Sequence, residues 1–305
     1  MFGKFKKGNS QSYRDILKDL KKQFKVDLLV SAHTSFRTTL FCARIKANKK
    51  ITFAKPWNFL VFDEREKWPG YYPEALRLLT LLRHHSIELN KLFKELPEPE
   101  NFTTKDSWGR LESPPEWSDP NQGWKPQDTT LLEEKFGLKD KKWIALFPGS
   151  VWATKMWKKE GYIQLGQELQ KKNYQIVVMG GPEEKTLGQL VADAIPNAMN
   201  LCGQTPLIES LTLLSKATLV VGNDSSSSHM AALVGVPIVC IYGPTVLKFG
   251  YRPWAQHTAA VEFEDLECRP CSSHGPMKCP LNHHDCMQKL ETSKVLKAVQ
   301  TMLGE

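Results

Sequence analysis

Trp143-Ile144-Ala145-Leu146-Phe147-Pro148-Gly149-Ser150 is the stretch on which the reading of the whole chain turns. Five apolar residues in an unbroken run, too short for a helix and closed by Pro and Gly, have the pattern of a strand buried on both faces. The same grammar repeats downstream. A helix is expected near Trp157 to Leu169, a strand at Gln175 to Met179 and a helix at Glu183 to Ala194. A helix at Pro206 to Leu214, a strand at Thr218 to Val221, a helix at Ser228 to Leu233 and a strand at Pro237 to Tyr242 complete the series. Continuous apolar strands alternating with amphipathic helices predict a parallel sheet covered on both faces, with ligands held where strand C-termini meet helix N-termini.

Upstream, Tyr13, Ile16, Leu17, Leu20 and Phe24 recur at helical spacing, so residues 11–25 read as an amphipathic helix leading into a buried strand, Val26 to Val30. Six prolines and Trp108, Trp117 and Trp124 fall between Pro97 and Pro126 and read as an ordered connection. The boundary is placed near residue 126, with an N-terminal domain at 1–126 and a second domain at 127–305. A chain of 305 residues is long enough for both. No run approaches the roughly 20 apolar residues needed to span a bilayer, and Met1 to Ser10 is polar, so a cytoplasmic protein is expected. Seven cysteines, an odd count, argue for thiols and against a disulfide framework. Residues 1–50 carry 13 Lys or Arg against three Asp, a net of +10, whereas the whole chain is +8. That basic end suits an anionic partner such as a phosphorylated glycolipid or membrane surface, or is simply a solvated helix face; no motif points to nucleic acid.

Three loops at strand C-termini carry groups that bind phosphates and sugars. In Pro148-Gly149-Ser150-Val151-Trp152-Ala153-Thr154-Lys155-Met156-Trp157, a glycine turn is expected to feed a helix N-terminus, with a hydroxyl from Ser150 and a point charge from Lys155 for phosphate. It lacks the GxxxxGK[ST] pattern of a P-loop. Met179-Gly180-Gly181-Pro182-Glu183-Glu184 presents an acid that can accept both hydroxyls of a ribose, or that merely complements a helix dipole. Gly222-Asn223-Asp224-Ser225-Ser226-Ser227-Ser228-His229 offers Asp224 and serines as helix caps, with their hydroxyls and N–H groups facing a diphosphate and His229 one turn in. Together they point to a nucleotide diphosphate.

These loops, with Leu201-Cys202-Gly203-Gln204-Thr205, His229-Met230-Ala231-Ala232, Gly235-Val236-Pro237 and Tyr242-Gly243-Pro244-Thr245, resemble glycosyltransferase family 9, the ADP-heptose:lipopolysaccharide heptosyltransferases, in order and spacing over residues 140–290. The resemblance implies the GT-B fold, α/β with two Rossmann-like parallel-sheet domains, and transfer of heptose from ADP-heptose with inversion to the inner core of lipopolysaccharide at the inner-membrane surface. It implies no cofactor. Ser150 and Lys155 would hold the donor phosphates, Glu184 the ribose and Thr205 the adenine, while Asp224, Ser225, Ser226 and His229 would surround the diphosphate and sugar. Ser226 stands where members commonly have Gly. Arg37 matches a basic residue directed at the acceptor's acidic groups. The family's opening strand and glycine turn bearing the Asp general base, part of roughly 60 residues, have no counterpart, so the N-terminal domain is expected to be incomplete and the catalytic residue is unassigned. A misassigned start, a truncated gene, a non-catalytic ADP-sugar-binding remnant and a substitute base such as His33 all fit that gap.

Cys268, Cys271, Cys279 and Cys286 form a C-x2-C-x7-C-x6-C cluster with His274, His283 and His284 nearby. One CxxC pair suits a tetrahedral zinc site and the second spacing does not, so no metal is assigned and a group of loop thiols is the principal expectation.

Overall fold

Alternation along single strands sorts the core. In the computed structural model, Trp143, Ala145 and Phe147 pack on one face of a sheet while Ile144 and Leu146 pack on the other. The structure describes residues 13–70, 72, 74–253, 255, 257–264 and 266–305, except 96–127. The expected boundary near 126 and the Pro/Trp-rich connection therefore lie outside the described residues. Chain contacts divide the molecule into two units, Met1–Pro99 and Glu100–Glu305.

The first unit runs α1 (Tyr13–Gln23), β1 (Val26–Ser31), α2 (Phe36–Ala43), β2 (Ala47–Phe53), β3 (Glu64–Glu66), α3 (Glu74–Thr80) and α4 (Ile87–Glu95). Its three strands are parallel in the order β1-β2-β3, with Val26 opposite Ala47 and Ile51 opposite Glu64. The strand expected at Val26 is present but is not buried: it is an edge strand, and Leu28 and Val30 are exposed. Its apolar run supports pairing with β2, whose own Ile51, Thr52 and Phe53 are fully buried.

The second unit carries α5 (Thr130–Lys135), β4 (Trp143–Phe147), a 3-10 turn (Ala153–Lys155), α6 (Lys159–Lys171) and β5 (Gln175–Val178). A 3-10 turn (Pro182–Glu184), α7 (Lys185–Asp193), β6 (Met199–Asn200), α8 (Leu207–Leu214) and β7 (Leu219–Asn223) follow. The chain ends with α9 (Ser226–Leu233), β8 (Ile238–Tyr242), a 3-10 turn (Leu247–Phe249), β9 (Thr258–Glu262), α10 (Asp285–Gln288) and α11 (Thr292–Leu303). Its six strands are all parallel in the order β6-β5-β4-β7-β8-β9.

Tyr162, Leu165 and Leu169 of α6 and Val295 and Val299 of α11 cover one face; Leu211 and Leu214 of α8 and Ala231 of α9 cover the other. Each fully buried aliphatic side chain contributes about 1.5–3 kcal/mol of transfer free energy, so the sheet is stabilised from both sides. The chain moves outward from β4 to β6, then returns to β7 on the other flank of β4. The loops after β4 and β7 diverge at that reversal and leave a crevice at the strand C-termini, the place where open α/β sheets hold ligands.

Candidate functional site

A cavity of about 640 Å³ occupies this crevice, and Ser150, Lys155, Glu184, Thr205, Asp224, Ser225, Ser226 and His229 all line it. Every donor-side residue expected from the sequence is thus brought to one place. Arg37 stands in the other unit, exposed on the first turn of α2, and His33 holds Thr38 Oγ1 at 2.8 Å through Nδ1.

The loop after β4 does not enter a helix at its glycine. Ser150 Oγ accepts from the Trp152 N–H at 3.3 Å, a 3-10 turn follows, and α6 begins only at Lys159. Lys155 comes into the cavity from that turn. Its ammonium meets Asp224 Oδ2 at 2.6 Å, and Thr245 Oγ1 donates to the same oxygen at 2.7 Å. Lys155 and Asp224 are only 8% and 4% exposed, so this is a buried, hydrogen-bonded ion pair. Asp224 is therefore not a helix cap. Ser225 occupies the cap position of α9 without a side-chain cap bond, its Oγ instead meeting Ser227 Oγ at 2.8 Å. At the start of α9 the Ser228 N–H reaches back to the Ser225 carbonyl at 3.3 Å, while Ser225, Ser226 and Ser227 line the crevice. His229 sits on the exposed side of the same turn.

Glu184 closes the loop after β5. Its Oε2 accepts the Gly181 N–H at 2.7 Å. A Cβ at Gly149 or at Gly180 would collide with its carboxylate, so both positions need glycine for the acid to lie flat against the two turns. Burial pushes the Glu184 carboxyl above the ordinary value, opposed by the Gly181 N–H and reinforced by Glu183. Thr205 lines the same end of the cavity and pairs with Ser210 Oγ at 2.7 Å.

Sequence reasoning missed the residues that hold these loops together. Asn223, at the end of β7, is fully buried: its Oδ1 accepts Trp157 N at 3.0 Å, and its Nδ2 donates to the carbonyls of Pro148 and Gly149 at 3.0 and 3.1 Å. One amide side chain thus ties the β4 loop to the β7 loop. Tyr251 and His274 also line the cavity and carry no loop motif that would have marked them.

The cysteine segment packs behind Lys155. Thr154 Oγ1 donates to the Pro276 carbonyl, His284 Nε2 meets the Thr154 carbonyl at 2.7 Å, and Gly275 abuts the Lys155 side chain. All seven cysteines are free thiols. Among the described residues no three His, Cys, Asp or Glu side chains are grouped so as to hold a metal ion. Burial, with the neighbouring Cys268 and Cys279, raises the Cys271 thiol, and burial takes Cys286 up to about 11. For Cys279 burial also acts upward, but the backbone N–H groups of residues 281–284 overcome it and lower the thiol. Among the described residues no helix is long and apolar enough to cross a membrane.

Known proteins resemble the chain in sequence and in fold. Lipooligosaccharide heptosyltransferase 2 of Campylobacter jejuni is 29% identical over 169 residues, 53% of this chain and 51% of that one. The chain spans about half the length of the curated relatives it matches. The structure of E. coli ADP-heptose lps heptosyltransferase II superposes with a TM-score of 0.68 at 19% identity, covering 95% of this chain and 80% of that one. The E. coli heptosyltransferase WaaC with ADP gives 0.63 at 15% identity, covering 95% and 77%. These likenesses show the expected fold class, the GT-B arrangement of parallel-sheet α/β domains. The sequence profile of glycosyltransferase family 9 (heptosyltransferase) matches residues 14–281, well over half of the chain, and the chain belongs to that family.

Proposed function

We propose that the chain binds the donor in an inverting glycosyltransferase that moves heptose from ADP-heptose to the inner core of lipopolysaccharide. The observation that carries this reading is the convergence of eight expected donor residues from four loops on one cavity, in a chain of this family. The solved relative that holds ADP supports an adenine nucleotide as the ligand. In this reading Glu184 accepts the ribose hydroxyls, Thr205 lies beside adenine, and Ser150, Lys155, Ser225 and Ser226 surround the diphosphate. His229 stands near the sugar-phosphate linkage.

As the sugar departs, negative charge grows on the leaving ADP. Lys155 answers part of it but already shares its charge with Asp224, so the N–H groups opening α9 carry a large part of the stabilisation, fixed in place before the reaction. Arg37 faces acidic groups of the acceptor, and the basic N-terminal stretch holds the enzyme at the cytoplasmic face of the inner membrane.

Calorimetric titration with ADP-heptose and with a uridine-linked sugar tests the donor. Selective binding of ADP-heptose is expected, and absence of ADP-heptose binding overturns the proposal. ADP release in the presence of an inner-core acceptor tests transfer; donor binding with no release assigns the chain to donor binding without catalysis.

A further inference from the structure

A nucleotide's phosphates, ribose and base leave three aromatic side chains of the cavity without a role. The His274 ring lies nearly parallel to Trp152, 14° between planes and 6.4 Å between centroids, and 5.4 Å from the Tyr251 ring at 41°. Both spacings fall within the range in which rings attract each other, so the three side chains form one strip of aromatic surface. Trp152 is 38% exposed, in a cavity whose other walls mix glycine turns, hydroxyls and charges with apolar side chains such as Phe147, Met179 and Leu207.

The strip has a definite position along the cavity. The Trp152 carbonyl accepts the Lys155 N–H at 2.9 Å, and Gly275, next to His274, rests on the Lys155 side chain and Pro244. The segments that carry both rings therefore adjoin Lys155 and its partner Asp224. Glu184 lies against Gly149 and Gly180, where the loop after β5 closes the cavity. A nucleotide with its ribose on Glu184 and its terminal phosphate near Lys155 directs whatever the phosphate carries toward the rings.

We propose that Trp152, His274 and Tyr251 form the platform on which the transferred sugar rests, an inference that depends on the donor reading above. A pyranose has a face of C–H bonds with slight positive charge, which matches the negative face of an aromatic ring, and a rim of hydroxyls for the polar groups around it. The rings thus read the sugar and leave the nucleotide to the loops.

Titrations of wild type, Trp152→Ala, Trp152→Phe and His274→Ala with ADP and separately with ADP-heptose test this. ADP affinity is expected to stay within about twofold throughout, while ADP-heptose binds roughly three- to tenfold more weakly to Trp152→Ala and Trp152→Phe keeps most of the affinity. Unchanged ADP affinity also reports that each variant is folded. Equal losses for both ligands, or no loss for ADP-heptose in Trp152→Ala, overturn the platform and leave the donor reading standing. A wild type that binds neither ligand overturns both.

Discussion

Glu184 is the residue whose position most constrains its neighbours, because its carboxylate fills the space that side chains at 149 and 180 would occupy. Its pKa is raised by burial in the folded chain. A carboxyl of this kind binds its proton more tightly folded than unfolded. Its favourable contribution is complete below the unfolded value and is lost as pH rises through the folded one. Glu184→Gln is accordingly expected to melt above wild type at about pH 8 and level with it at about pH 4, as followed by circular dichroism. On the proposed donor reading, which gives Glu184 a charge-assisted hydrogen bond to the ribose, the same variant is expected to bind ADP roughly tenfold more weakly. Glu184 was marked in the sequence by the family resemblance, since an acid after a strand and a glycine turn also suits a helix dipole. Asn223 was not, since an Asn before Asp and Ser reads as a turn, and only the fold shows its side chain turned inward to serve two loops.

The Lys155–Asp224 pair links elements, joining the 3-10 turn after β4 to the loop between β7 and α9. Removing one partner of a buried pair strands the other, at a cost of about 3–5 kcal/mol. Lys155→Ala is expected to lower stability by that order in urea unfolding, and Lys155→Ala with Asp224→Asn to recover much of it. ADP affinity of Lys155→Ala must therefore be read at a temperature where the variant is folded. At this scale the central strands β4, β5, β7 and β8 were plain from their apolar runs. Two edge strands were not: β6 has only two residues, and β9, Thr-Ala-Ala-Val-Glu, buries just one side chain fully. The 3-10 turn at Ala153–Lys155 also escaped, because a glycine turn after a strand commonly opens a helix; the helix expected near Trp157 begins at Lys159, after Trp157 has turned inward and donated its indole N–H to the Leu290 carbonyl at 3.1 Å.

Across the whole molecule, charge is uneven: +8 overall, with +10 in the first 50 residues. Electrostatic attachment of that stretch to anionic lipid predicts flotation with anionic vesicles at about 0.01 M salt and release near 1 M, where the screening length shrinks to about 3 Å. Flotation that ignores salt would rule out this attachment. The sheet order has a further consequence, which concerns folding. The crevice exists only once β4 pairs with β7, Ile144 opposite Leu219, a closure between segments far apart in sequence that must pay its loop entropy first. A partly folded chain then has no crevice at all. Ligand binding is linked to the complete sheet, and ADP at a hundredfold its Kd should add about 2.7 kcal/mol to unfolding of this unit as a whole, read as slowed hydrogen exchange in the central strands as well as in the loops. On the proposed donor reading, the ligand thus favours the completed sheet over any partly folded chain.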